Sequence, residues 1–434
     1  MDILLVSSTL SGIKKIDREV NLSFVKKNFD ENAMNGTYVK CIYGTNGSGK
    51  SAIVHAYDIL KSIVLNDFPF KDPIFKEKFE KLINKRTNVF SITNIFAVYF
   101  KDGIKRYRHK MSVTLDQYRS LCISSESLDL LNKRLDLSRN LIEVKDGVVV
   151  HSHGDFEVQE PPSVLKENSI IKVILNYREK LKDNELYLAS LSTAVFCVKL
   201  HVSFGSNLDS HDTFNYAFLN EITRATEKDK NMRINPKTIN PVISRLSGNN
   251  QVWLISRDEE DKYRKISKKL ESFLKLLKPE LVSLEISFKH PNETLSESYL
   301  SFHYSDYEID YEYESTGIKK LCQLFIALLN ASTGSIVVVD EVDAGIHDIF
   351  MTKLIEYFAL YSSCQIILTT HNIALMDSLT NVDKSIDILS DECEIVSWRK
   401  QGRTSPITTY INGFLGGVPF NLQAIDFSSI FSEQ

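Results

Sequence analysis

The stretch Gly44–Ser51, GTNGSGKS, constrains this chain more than any other. Just before it, Tyr38–Tyr43 (YVKCIY) is a short apolar run of the kind that forms a buried strand. Just after it, Ile53, Ala56, Tyr57, Leu60 and Val64 recur at helical spacing. Strand, glycine-rich turn and helix is the setting that the pattern G-x-x-x-x-G-K-[ST] requires. Gly44, Gly47 and Gly49 free the backbone to turn its N–H groups inward, and Thr45, Asn46 and Ser48 complete the loop. Those N–H groups, at the positive end of a helix, cradle phosphate oxygens. Lys50 is placed to reach the β- and γ-phosphates, and the Ser51 hydroxyl to ligate Mg2+, which prefers hard oxygen donors.

A second group of motifs lies near the other end. ESTGIKKL (Glu314–Leu321) opens an apolar helix, and Ser315 and Gly317 at its start offer a hydroxyl and free N–H groups to an anion. Ser335–Val339 is a run of β-branched residues ending in Asp340-Glu341. Four apolar residues followed by two carboxylates place Asp340 to hold Mg2+ through water and Glu341 to act as general base on the attacking water. Asp343 follows in a polar loop before a helix over Asp348–Tyr361. Gln365–Leu368 is a further buried strand, and Thr369-Thr370-His371-Asn372 stands at its end. Open α/β sheets bind ligands at that edge, so His371 is a candidate contact to the γ-phosphate.

Between these groups the pattern changes twice. Asp2–Ser8 reads as an edge strand and Val20–Val25 as a second strand. Val89–Phe100 and Ile104–Val113 read as a hairpin about Lys101-Asp102-Gly103, with another pair at Leu141–Glu143 and Gly147–His151. Arg106, Arg108 and Lys110 share one face of the return strand and are read as the solvated side of an edge hairpin. From Pro161 to Leu277 the pattern is mostly helical, with candidates at Ser163–Asp183, Glu185–Leu200, Thr213–Thr226 and Asp258–Lys278, and a loop at Arg233–Pro241. Leu281–Phe288, Ser298–Tyr304 and Tyr307–Tyr313 return to strand character.

Composition excludes several classes. Basic and acidic residues nearly balance, 52 against 56, so nothing global demands nucleic acid. The six cysteines include no C-x-x-C pair, which argues against a zinc site or a disulfide framework and fits a reducing cytoplasm. No signal peptide and no run long enough to span a bilayer are present, so a cytoplasmic protein is expected.

Taken in order, GTNGSGKS, ESTGIKKL, IVVVDE, DAGIH and TTHN resemble the P-loop, signature, Walker B, D-loop and switch histidine of an ATP-binding-cassette (ABC) head. Residues 52–313 separate P-loop from signature, a longer insertion than transporter cassettes carry. The chain is similar in this to the SMC-like and OLD-like ATPases of prokaryotes, a group that includes ATPase subunits of anti-phage defence systems. THNIALMDS and INGFLGGVP add to the likeness, which covers 1–60 and 310–420 and the middle only loosely.

The resemblance implies an α/β P-loop NTPase of ABC-ATPase type, with a mixed sheet, an antiparallel β-subdomain and a helical insertion. It divides the chain into an N-terminal half of the head (1–155), a helical insertion or lid (156–280) and a C-terminal half of the head (281–434). It implies a homodimer sandwiching two ATP molecules, with Gly44–Ser51 of one copy facing Ser315–Gly317 of the other and Asp343 at the seam. The signature departs from a fuller SGG type, and Gln117 is the only glutamine weighed for a Q-loop, without being assigned to it. Residues 372–434 are too few for the Toprim nuclease of OLD relatives, so a nuclease or other effector is expected on a separate chain. The tail Ile395–Pro419 is expected to finish the ATPase domain, with Gly413, Gly416 and Gly417 as a turn or partner-docking loop. The reading is a Mg2+-dependent ATPase that senses a trigger and controls that effector. The alternative is an SMC-like repair clamp that grips DNA, with a basic groove and salt-sensitive binding.

Overall fold

The structure is a computed structural model that describes residues 2–26, 29–116, 118–154, 156–181, 184–204, 221–226, 232, 253–343, 345–400 and 404–413. In chain order, β1 (Ile3–Ser11) and β2 (Val20–Ser23) form a hairpin, and β3 (Tyr38–Tyr43) runs into the P-loop. The helix α1 (Lys50–Leu65) leaves that loop, and α2 (Pro73–Leu82) follows, capped by Asp72. Then β4 (Val89–Phe100), β5 (Gly103–Leu115), β6 (Leu121–Leu131), β7 (Leu137–Lys145) and β8 (Val148–Ser152) zigzag antiparallel. Together with β1 and β2 they make a seven-stranded sheet in the order β2-β1-β4-β5-β6-β7-β8.

Short helices α3 (Pro162–Glu167) and α4 (Ile170–Asn176) and the longer α5 (Glu185–Lys199) follow, and β9 (Leu200–Phe204) leads directly from the last. Next come β10 (Trp253–Ser256), α6 (Glu260–Lys275), β11 (Leu281–Lys289), β12 (Leu295–Tyr304) and β13 (Glu308–Asp310). These four strands form a small antiparallel sheet, β10-β12-β11 with β13 on β12. The chain ends its described course with α7 (Thr316–Ser332), β14 (Ile336–Asp340), α8 (Asp348–Tyr361), β15 (Gln365–Thr369), α9 (Ala374–Ser378), β16 (Ile386–Leu389), β17 (Ile395–Ser397) and α10 (Pro406–Ile411).

The third sheet organises the molecule. Its order is β17-β16-β3-β15-β14-β9, with β16, β3, β15, β14 and β9 parallel and β17 antiparallel at one edge. Parallel strands are covered on both faces and so are apolar throughout; β14 (IVVVD) and β15 (QIILT) are buried at every position. One face packs against α1 and, beyond it, α5 and the antiparallel sheet. The other packs against α8 and α9. Helix α1 is therefore enclosed on nearly all sides. Its core residues extend past the single expected stripe to Ala52, Val54, Ile59, Ile63 and Leu65.

Two specific contacts help to tie the antiparallel sheet to the rest of the molecule. The ring of Phe196 on α5 stacks on Phe96 of β4, 4.8 Å between centroids. The side chain of Gln365, fully buried at the start of β15, accepts from Leu5 N (2.9 Å) and donates to Leu5 O (2.7 Å). Strand β2 pairs with β1 only from Ser7 to Leu10. At Leu5 the glutamine amide therefore supplies the partner that a neighbouring strand would have given.

Several expectations change. β1 lies between β2 and β4, and β5 between β4 and β6, so neither is an edge. The Arg106 guanidinium is buried, stacks on Phe29 and donates to Phe29 O at 3.1 Å. Arg108 pairs with Asp129 at 2.7 Å, and only Lys110 of that stripe stays exposed. The helix expected over Ser163–Asp183 breaks at Asn168 and Ser169. Asn168 Oδ1 accepts from Phe68 N, and the Ser169 hydroxyl caps a new helix at Ile171 N. The stretch read as helical, 156–280, contains β9, which pairs with β14 from Leu200↔Ile336 to Phe204↔Asp340. Tyr307–Tyr313 is strand only at Glu308–Asp310, because a 3-10 turn takes over at Tyr311. Most of Thr213–Thr226, all of Arg233–Pro241, and Gly416 and Gly417 lie outside the described residues. Among the described residues no helix is long and apolar enough to cross a membrane.

Replacing Gln365 with Leu keeps the volume but leaves the Leu5 N–H and carbonyl buried without partners. Urea denaturation should show a loss of roughly 2–5 kcal/mol. A loss below about 0.5 kcal/mol would mean that the amide does not join the two sheets energetically.

Candidate active site

Strand β3 ends at Tyr43, and the next six residues form the loop that α1 closes. Gly44 and Gly49 have φ of 154° and 112°. A Cβ on Gly44 would lie 2.5 Å from Leu389 O, and one on Gly49 would lie 3.0 Å from Ile16 Cγ1. The loop is thus held between the β16 end and the β1–β2 turn, with no room for a side chain at Gly44 or Gly49. Asn46 and Gly47 at its crest are exposed, and Ser48 is buried with an unpartnered hydroxyl. Helix α1 starts at Lys50 with no side-chain cap, so its first N–H groups are open to a ligand. Ser51 sits half-buried in that first turn.

Lys50 Nζ donates to the carbonyls of Gly44 (2.8 Å) and Thr45 (2.9 Å), folding back over the loop. Burial draws its ammonium below the ordinary lysine range, opposed by the carboxylates of Asp340, Glu341, Asp343 and Asp391. The Thr45 hydroxyl donates to Asp391 Oδ1 (2.8 Å), which Lys15 Nζ also reaches at 3.1 Å. Those two hydrogen bonds hold the Asp391 carboxyl below its usual range.

The sheet order then does what no single motif can. Strands β3, β15 and β14 are parallel neighbours, paired Thr369↔Ile42 and Leu368↔Val339. Their C-terminal ends therefore open on one edge, bringing Gly44, His371, Asp340 and Glu341 together from segments far apart in the chain. Asp340 is buried; Glu341 and Asp343 are half-buried. The Thr369 hydroxyl donates to Asp340 Oδ1 and accepts from Glu341 N (2.8 Å). Val342 N donates to Thr369 O (3.1 Å), and His371 N donates to Asp343 Oδ2 (3.2 Å). Glu341 sits at φ 45°, in the left-handed region, an uncommon place for a residue with a side chain. Burial and the Lys50 charge lower the His371 pKa, against the pull of Asp343, Glu341 and Asp340, so the imidazole is neutral at neutral pH.

Ser315 and Gly317 are placed differently. Ser315 caps α7, its Oγ accepting from Ile318 N at 3.3 Å, and its own N–H donates to Glu314 Oε2 at 2.8 Å. Gly317 faces the Asp343 loop: a Cβ there would lie 3.7 Å from Gly345 O. Among the described residues no hydrogen bond joins Ser315 or Gly317 to the P-loop of the same chain. Ala344 and Gln117 lie outside the described residues.

Five residues near the site were given no role by the sequence. Thr369 is a polar position ending an apolar strand, which is the one signal that singles it out. Asp391 and Lys15 reach the loop only through tertiary packing. Lys14, in the β1–β2 turn, is close enough to Asp340 and Glu341 for their charges to support its ammonium against burial. Phe204, the register partner of Asp340, lies beside the acidic pair at the end of β9 and stacks on His55 of α1 at 4.5 Å. Burial takes the His55 ring to about 3, so it stays uncharged.

The donor set suits a nucleotide with Mg2+. Gly44 and Gly49 leave no room for side chains, the helix end is uncapped, and the Ser51 hydroxyl and Asp340 carboxylate are hard oxygen donors. Mg2+ is ordinarily held by one or two protein oxygens together with phosphates. Among the described residues no group of three or more His, Cys, Asp or Glu side chains forms a metal cage.

Residues 40–377 match the family model described as "AAA domain, putative AbiEii toxin, Type IV TA system". No curated protein matches the chain. Among solved structures it is similar to the Smc head domain with an extended coiled coil bound to the C-terminal domain of ScpA from Pyrococcus furiosus, at 15% identity and a TM-score of 0.44 over 91% of this chain and 96% of that one. It is also similar to the SMC head domain from Thermotoga maritima, at 13% identity and a TM-score of 0.35 over 91% and 99%. A third is the Smc head domain with a coiled coil and joint from Pyrococcus yayanosii, at 16% identity and a TM-score of 0.42 over 92% and 97%. The family match spans both halves of the site, from the P-loop strand to beyond His371, and the chain belongs to this family of AAA P-loop ATPase domains.

Proposed function

We propose that the chain binds and hydrolyses ATP with Mg2+, works as a dimer, and serves as the sensor subunit of a defence-type complex that controls a separate effector, with nuclease chemistry carried by that second chain. The observation that carries the reading is the shared edge of β3, β15 and β14, which sets Lys50, His371, Asp340 and Glu341 around one phosphate cradle.

The residues divide the work by chemistry. The N–H groups of Gly44–Ser51 hold the phosphates, and Lys50 turns from the loop carbonyls toward the β- and γ-phosphate oxygens. Ser51 and Asp340 would hold the metal, which would supply positive charge to offset the charge that develops on phosphoryl transfer. Glu341 takes the proton of the attacking water. Neutral His371 donates from one ring nitrogen toward the γ-phosphate.

Gly317 stands by the Asp343 loop, and among the described residues neither it nor Ser315 makes a hydrogen bond to its own P-loop, which suits the pair to close the cradle of a second copy. ATP is then shared across two copies, and its hydrolysis resets the pair. The family's description as a toxin of a toxin–antitoxin system is consistent with an ATPase that acts with a second component. A DNA clamp is the competing outcome of the tests below.

Lys50→Ala should weaken ATP binding by about a hundredfold or more in equilibrium binding, since it removes a charged phosphate contact; unchanged affinity would remove the P-loop assignment. Glu341→Gln should cut turnover by roughly 10²- to 10⁴-fold while keeping ATP affinity, and should accumulate an ATP-loaded dimer in size-exclusion chromatography. Turnover at the wild-type rate would show that Glu341 is not the base. Affinity capture of Glu341→Gln from the native host should recover a stoichiometric partner chain. Recovery of DNA that salt releases, with no partner chain, would move the reading to the clamp.

A further inference from the structure

We propose that Thr369 is a positioning residue for hydrolysis: its hydroxyl ties the two Walker B carboxylate residues together and holds Glu341 in the backbone conformation that aims it at the cradle. This rests on the ATP-hydrolysis reading above.

The polarity of the contact is fixed. A hydroxyl has one proton to give and two lone pairs to receive with. The Glu341 N–H can only donate, so it fills a lone pair of Thr369 Oγ1 at 2.8 Å. The single hydroxyl proton then goes to Asp340 Oδ1, which leaves Oδ2 of that carboxylate unengaged by this contact. Thr369 is fully buried, so water does not compete for either bond.

The same contact accounts for Glu341. A left-handed φ is costly for a side-chain-bearing residue and persists only where its surroundings over-determine it. Here the bond to Thr369 precedes the residue's own turn, and the bond from Val342 N to Thr369 O follows it. Asp343 is tied in turn to His371 N. The end of β15 thus stitches the whole segment from Asp340 to Asp343, and the strand carrying His371 is rigidly registered with the strand carrying the base. Threonine also suits the position better than serine, because β-branching restricts its χ1 rotamers in a strand.

The test compares wild type, Thr369→Ser, Thr369→Val and Glu341→Gln by steady-state ATPase rate, ATP affinity without Mg2+, and amide hydrogen exchange of residues 339–343 in the nucleotide-free protein. Thr369→Val keeps the shape and loses the hydroxyl. It should lower kcat about 30-fold or more, leave ATP affinity within about twofold, and speed exchange at Glu341 about tenfold or more. Thr369→Ser should stay within about threefold of wild type in every readout, because it restores both hydrogen bonds. Thr369→Val with wild-type turnover and exchange would overturn the inference. So would a parallel loss of ATP affinity, which would mark collapse of the cradle. If wild type itself does not turn over, the hydrolysis reading falls, and the exchange comparison alone decides whether Thr369 holds Glu341.

Discussion

The parallel ladder β3–β15–β14 is the constraint on which the site depends. Each strand is apolar because both faces are covered, and each ends where the covering ends, so the first polar residues of three connections emerge at one edge. The P-loop, the histidine and the carboxylate pair are neighbours because hydrogen-bond register makes them so. A slip of one residue in β15 would turn Thr369 away from Asp340 and carry His371 with it. A polar residue at the C-terminal end of a central strand, buried like Thr369 and Asp340, therefore ends one structural element and begins the edge where the site residues gather.

Charge is arranged about that edge with little waste. Asp340, Glu341 and Asp343 lie in the field of Lys50, and Asp340 and Glu341 also in that of Lys14. Elsewhere, buried charges are consumed by partners. Lys40 on β3 and Asp387 on β16 form a buried pair at 2.5 Å, with Ser397 satisfying the other carboxylate oxygen. Such a pair adds little net stability but is costly to break on one side, which locks β16 to the P-loop strand in a single register. Arg106 and Arg108 are spent in the same way inside the antiparallel sheet.

The two halves of the chain form one body through the shared parallel sheet and one continuous core, to which specific polar contacts add. Gln365 replaces a missing strand partner at Leu5, and Lys199 at the end of α5 reaches Asp2 at 3.1 Å. Both link the start of the chain to elements of the central sheet. The small sheet β10-β12-β11 packs on α6 and α7 in its own apolar cluster, with Phe273 of α6 against Phe325 of α7 at 5.4 Å. Ser315 stands at the head of α7 and so is mounted on that cluster, while Gly317 faces the Asp343 loop.

What the sequence determined by itself was whatever one segment settles locally. The spacing of Gly44, Gly47, Gly49 and Lys50 specifies a glycine-rich P-loop, because all three glycines take positive φ and Gly44 and Gly49 also lack room for a Cβ. The apolar run before Asp340-Glu341 and the one before His371 specify buried strands for the same kind of reason. Only the tertiary structure decided which strands are neighbours. Pairing depends on register between distant segments, which no local pattern carries. That is why β1 and β5 read as edges and lie inside a sheet, why β9 was hidden in a helical stretch, and why Lys14 and Asp391 had no signal. Their roles come from what they touch, and the residues they touch lie tens to hundreds of positions away along the chain.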